Sequence, residues 1–103
     1  MIRAVFSGSR TVKVVGHAGF ADLGEDIVCA SVSSAVQLCA NGITEVLCEN
    51  AQVSVCENEV SITLSKNSST AAVAFIEALR LHLTILREQF PENIEIMEEK
   101  VND

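Results

Sequence analysis

The sequence has no tryptophan, no tyrosine and a single proline, and its four phenylalanines are the only aromatic residues. A core must therefore be assembled from Val, Ile, Leu, Ala and Cys, and a chain with so few large anchors has reason to bury more surface by pairing with a second copy. A homodimer is expected. Basic residues are also scarce: seven Lys and Arg against fourteen Asp and Glu leave a formal net charge of −7. Phosphate binding needs clustered Lys or Arg, so nucleic acid is excluded as a partner and a basic protein fits better.

The four cysteines, Cys29, Cys39, Cys48 and Cys56, contain no C-x-x-C pair, which disfavours a zinc site and a disulfide framework alike. Gly16, Gly19 and Gly24 match neither the dinucleotide fingerprint nor a Walker A loop, so no cofactor and no metal are expected. Met1 to Arg10 has no apolar stretch of signal-peptide length, and no segment is expected to reach the roughly 20 apolar residues that span a bilayer. The expected location is the cytoplasm, away from membranes.

What is present is the composition of a packed globule. With 103 residues, 49% of them hydrophobic and 20% charged, the chain has the size and apolar content of a single domain over residues 1–103. Ile2 to Phe6 and Val12 to Val15 read as a hairpin around Ser7 to Arg10, and His17 falls just past its second strand. The stretch from Ala18 to Glu25, with Gly19 and Gly24 around Phe20, reads as a loop. Asp26 is a good N-cap for a helix to about Glu49, because Val28, Val32, Ala35, Val36, Cys39, Ile43, Val46 and Leu47 recur at helical spacing. Val53 to Cys56 and Val60 to Leu64 form a second hairpin. Ser68 or Ser69 caps a second helix that runs to about Phe90 and is stopped by Pro91. Ile94 to Met97 is a last short strand. The order ββαββαβ predicts an α/β (α+β) domain with a mainly antiparallel or mixed sheet and two helices on it.

With Asp26 as cap, Cys29 takes the third helical position, where free amides and the positive end of the helix dipole favour a thiolate. It lies about 100° round the helix from the Val28, Val32, Val36 stripe, and Ser33 follows one turn later on its own face. Cys39, Cys48 and Cys56 read as inert core residues. His82, between Leu81 and Leu83, reads as structural, and His17 with Cys29 is one of the eight Cys–His pairings that the chain offers, compatible with the geometry.

The run Gly16-His17-Ala18, followed by Gly24-Glu25-Asp26-Ile27-Val28-Cys29-Ala30-Ser31-Val32-Ser33, closely resembles the signature of the ribosomal-processing cysteine protease (Prp) family of Gram-positive and related bacteria. The resemblance extends over the whole chain in length and element order. It implies a homodimeric α/β cysteine endopeptidase that removes an N-terminal extension from a large-subunit ribosomal protein and so supports ribosome assembly. It places catalysis on His17 and Cys29, supporting roles on Asp26 and Ser33, and a substrate loop on Gly19, Phe20 and Gly24. Phe20 stands where many relatives have Tyr, and Ser31 where Ala or Gly is common. Asp26 either caps the helix or orients the imidazole. A non-catalytic dimeric ribosome-assembly module and a redox-sensing thiol protein are the rival readings.

Overall fold

The structure is a computed structural model that describes residues 1–16 and 23–100, with the backbone alone for residues 23–26. Strict alternation makes the first hairpin: Ile2, Ala4 and Phe6 of β1 (Ile2–Ser7) and Val12 and Val14 of β2 (Thr11–Val15) share one buried face. Their register, Ala4 opposite Val14 and Phe6 opposite Val12, brings the apolar sets together. The second hairpin, β3 (Ala51–Cys56) and β4 (Glu59–Leu64), turns at Glu57 and at Asn58, whose φ of 68° suits an Asn in a tight turn. With β5 (Ile94–Glu99) the sheet runs β3-β4-β2-β1-β5.

The sheet is mixed, because β1 and β5 pair in parallel while every other neighbour is antiparallel. Hairpins were expected to dominate, yet each helix is also a crossover. The registers make β2 parallel to β3 and β4 parallel to β5, with other strands between them, so α1 (Leu23–Asn41) and α2 (Thr70–Gln89) each return the chain across the sheet. Both helices bury their stripes on the same face. Val28, Val32, Val36 and Cys39 of α1 meet Ile76, Leu79 and Leu83 of α2 in a cluster floored by Phe6, Val12 and Ile62.

The ends of α1 differ from the sequence reading. The helix begins at Leu23, so Asp26 lies inside its first turns instead of capping it, and Gly24 belongs to the helix and not to the loop. An acidic residue is as favourable in the first turn as at the cap, which is why Asp26 misled. After Asn41 the chain widens into a π-helical turn, Gly42–Val46. Its wider spacing shifts the phase, and Val46, expected in the core, is exposed.

The stretch Ile27–Val46 is long and apolar enough to cross a bilayer by length and composition, contrary to expectation. Its buried stripe on the sheet accounts for that composition. α2 is capped as the sequence suggests: the Ser69 hydroxyl accepts from the Ala72 amide at 3.1 Å.

Candidate active site

Gly16 closes β2 with a φ of +99°, a conformation that side-chain-bearing residues rarely adopt. Its amide donates to the Asn58 carbonyl at 2.8 Å, and a Cβ at this position would run into the Met1 carbonyl oxygen. The strand end that leads into His17 is thereby held between the N-terminus and the turn of the second hairpin. His17, Gly19 and Phe20 themselves lie outside the described residues, as does the Asp26 side chain.

Cys29 is half-buried and lines a trough of about 380 Å³ together with Gly16, Val32 and Ser33. The trough separates α1 from the β3–β4 hairpin. Its floor is apolar, with Val14, Val36 and Val60, and its far wall carries Val53 and Val55. Because α1 does not reach over the edge strand, Val55 stays 73% exposed although it faces the helix-bearing side opposite Val60. Ser33 follows Cys29 along the same wall, as the helical spacing predicts.

The chemical setting of Cys29 differs from the sequence argument in one respect. It is the seventh residue of α1, more than one turn from the start, so its own amide is engaged inside the helix. The unpaired amides of α1 belong to its first turn, around Leu23 to Asp26. The positive end of the dipole therefore points at the thiol from one turn away instead of surrounding it.

The other cysteines separate by environment. Cys39 is 3% exposed, and burial pushes its thiol up to about 11, which makes it inert as a nucleophile. Cys48 and Cys56 are exposed and not in the core as expected. Cys48 takes a left-handed backbone (φ 54°) just past the π turn, and Cys56 ends the uncovered edge strand β3. His82 is exposed on α2 and lines a separate groove with Leu38 and Phe75, so it is not brought to Cys29. Sequence reasoning missed Gln37 and Asn41, which continue the trough wall beyond Ser33; their places at i+8 and i+12 from Cys29, successive steps of four, were the available signal. Among the described residues no cluster of three His, Cys, Asp or Glu side chains is placed to hold a metal.

A half-buried thiol lining an open trough is a setting that fits the class of cysteine hydrolases. The comparisons narrow this class. The chain belongs to the cysteine protease Prp family, whose family model matches residues 1–95. Its fold is that of the essential ribosomal processing protease Prp from S. aureus in complex with a substrate peptide, at a TM-score of 0.87 and 21% identity over 96% of this chain and 100% of that one. The same S. aureus protease with a covalently linked product peptide gives a TM-score of 0.84 at 22% identity, over 96% of this chain and 100% of that one. SMU.848 from Streptococcus mutans gives 0.85 at 26% identity, over 98% of this chain and 99% of that one. No curated protein matches the chain.

Proposed function

We propose that this cysteine protease removes the N-terminal extension of a large-subunit ribosomal protein, with Cys29 as nucleophile and His17 as its general base. The observation that carries the reading is the placement of half-buried Cys29 in one trough with Gly16, the residue immediately before His17. The S. aureus relative, a ribosomal processing protease crystallised with a substrate peptide, supports the choice of substrate.

The chemistry follows from these groups. His17 takes the proton of the Cys29 thiol, and the sulfur attacks the scissile carbonyl to give a tetrahedral oxyanion. Collapse breaks the C–N bond, the imidazolium protonates the leaving amine, and a thioester remains on Cys29. Water, deprotonated by His17, then attacks the thioester, frees the extension as a carboxylate and restores the thiol. The free amides of the first turn of α1 supply donors for the oxyanion, and Asp26 acts from that same turn. Ser33, one turn beyond the nucleophile, steadies the sulfur from the trough wall.

A homodimer belongs to the same reading. Leu38 and Leu81 stand exposed on α1 and α2, and the chain has few large aromatic anchors of its own. The acidic net charge of −7 suits a basic ribosomal protein, and the cytoplasm is where such a substrate is made.

The test is incubation of the protein and its Cys29→Ala variant with the extended ribosomal protein of the same source, followed by intact-mass measurement. Loss of one defined N-terminal peptide with wild type alone is expected. Binding by both proteins with cleavage by neither would leave a non-catalytic assembly module in place of a peptidase.

A further inference from the structure

The surroundings of Cys29 are poor in groups that prepare a water molecule for attack. Ile2, Val14, Val32, Val36 and Val60 are apolar, and the uncharged polar side chains beside them are hydroxyl, carboxamide and thiol groups. Glu59 is the one charged residue lining the trough among those described, and its carboxylate is paired with Lys13 at 3.7 Å. His82 lines the separate groove between α1 and α2. Among the described residues, then, the space around the thiol holds no imidazole and no carboxylate without a cationic partner.

This shortage bears on how a thioester on Cys29 is discharged. Water needs a base to take its proton as it attacks, and the cycle above gives that task to His17 alone. A neutral amine attacks through its own lone pair and needs no base to make it a nucleophile. Cys29 is only half-buried, so a second peptide has access to the sulfur. The net charge of −7 draws cationic peptides toward the protein ahead of anionic ones.

We propose that the protein is also an acyltransferase, in which the α-amine of a second peptide, best a basic one, takes the acyl group from Cys29. The amine nitrogen forms a bond to the thioester carbonyl carbon, the C–S bond breaks, and the amine proton passes to the departing thiolate. The thiol is restored, and a new peptide bond replaces the one that was cut. This second activity rests on the peptidase reading above and adds an acceptor other than water to it.

The experiment incubates a synthetic peptide spanning the processing junction with wild type and with Cys29→Ala, in the presence of glycyl-arginine amide or glycyl-glutamate amide, and weighs the products by mass spectrometry. Wild type alone is expected to give the extension joined to the acceptor beside its free acid. The ratio of joined to hydrolysed product should rise about tenfold between about pH 6.5 and pH 8, as an α-amine with a pKa of about 7.7–8.0 becomes neutral. At low salt the arginine acceptor should be used about threefold better than the glutamate acceptor, and salt should erase that preference. Cleavage that gives the free acid alone at every pH and acceptor concentration overturns the acyltransferase and leaves the peptidase standing.

The extension peptide supplied as an alkyl thioester acylates Cys29 with no amide bond to break, which separates the two readings. Joined product that forms faster with wild type than with Cys29→Ala upholds acyl transfer even where the junction peptide is not cut, a result that would sink the peptidase alone. Equal rates with the two proteins mean uncatalysed aminolysis and overturn the acyltransferase.

Discussion

Gly16 and Asn58 are joined by a 2.8 Å hydrogen bond from the glycine amide to the asparagine carbonyl, and both residues have positive φ. The bond fastens the end of β2 to the turn between β3 and β4. It thus couples the strand that leads into His17 to the hairpin that walls the trough.

Gly16→Ala tests that coupling. Its backbone is in the left-handed half of conformational space, and the new Cβ would meet the Met1 carbonyl. A loss of about 1–3 kcal/mol is expected in urea denaturation, together with a fall in kcat/KM as the strand end shifts. Asn58→Gly, which keeps the positive φ accessible, should lie within about 0.5 kcal/mol of wild type. Equal stability for Gly16→Ala would show that the end of β2 is less tightly fixed than the bond implies.

Thiol labelling separates the cysteines. Cys48 and Cys56 are exposed and should react readily with iodoacetamide in the native protein. Cys39 should react only on unfolding: with its thiol pushed up to about 11, the thiolate fraction at pH 7 is about one in ten thousand, and the side chain is buried. Peptide mapping by mass spectrometry gives the order directly. Loss of activity should follow labelling of Cys29, and a Cys48→Ser variant should process substrate at the wild-type rate.

Glu49 carries a pH-dependent share of stability. Its carboxylate accepts hydrogen bonds from the Ser69 hydroxyl and, at 2.9 Å, from the Ser69 amide, which hold its pKa below the ordinary Glu value of 4.5. A carboxyl whose folded pKa is depressed stabilises the fold above its unfolded pKa, and that share is lost as pH falls through the folded value. Glu49→Gln should therefore be less stable than wild type at pH 7, and the gap should close as pH falls below 4.5 and through the lowered folded value. Thermal denaturation from pH 3 to pH 7 measures it; a gap independent of pH would rule out the charge as the cause.

Gly42 opens the π turn directly under Phe75, and a Cβ there would lie 2.5 Å from the ring. Gly42→Ala should cost about 1–3 kcal/mol by overpacking. Phe75→Leu removes the ring edge, so the double variant should lose less than the sum of the two single losses. Strict additivity in that cycle would mean the ring is not what forbids a side chain at residue 42.

Most of the architecture was legible because it follows from periodicity. The Ile2, Ala4, Phe6 alternation and the Ile76, Leu79, Leu83 stripe each specify one buried face, and the structure buries those faces. The misplacements share a cause, since each depends on something other than local pattern. Asp26 suits a first turn as well as a cap, so the start at Leu23 had no unique signal. The π turn changes the phase of Val46 without a change in composition. Cys56 reads as core by residue type, yet it ends a strand that no helix covers, and coverage is a tertiary fact. For the site, Ser33 was legible as the helical neighbour of Cys29, whereas Val53 and Val55 join it only because α1 crosses the sheet and β3 returns beside it.

The pairing of β1 with β5 has a consequence for synthesis. Ile2 sits opposite Ile94 in a parallel ladder, so β1 waits for a strand made after the other described strands before its outer edge is satisfied. Until then β1 offers a free edge, and closing it joins segments about ninety residues apart, a slow class of contact. Nascent chains stalled before Ile94 carry β1 to β4 but lack the strand that pairs with the outer edge of β1.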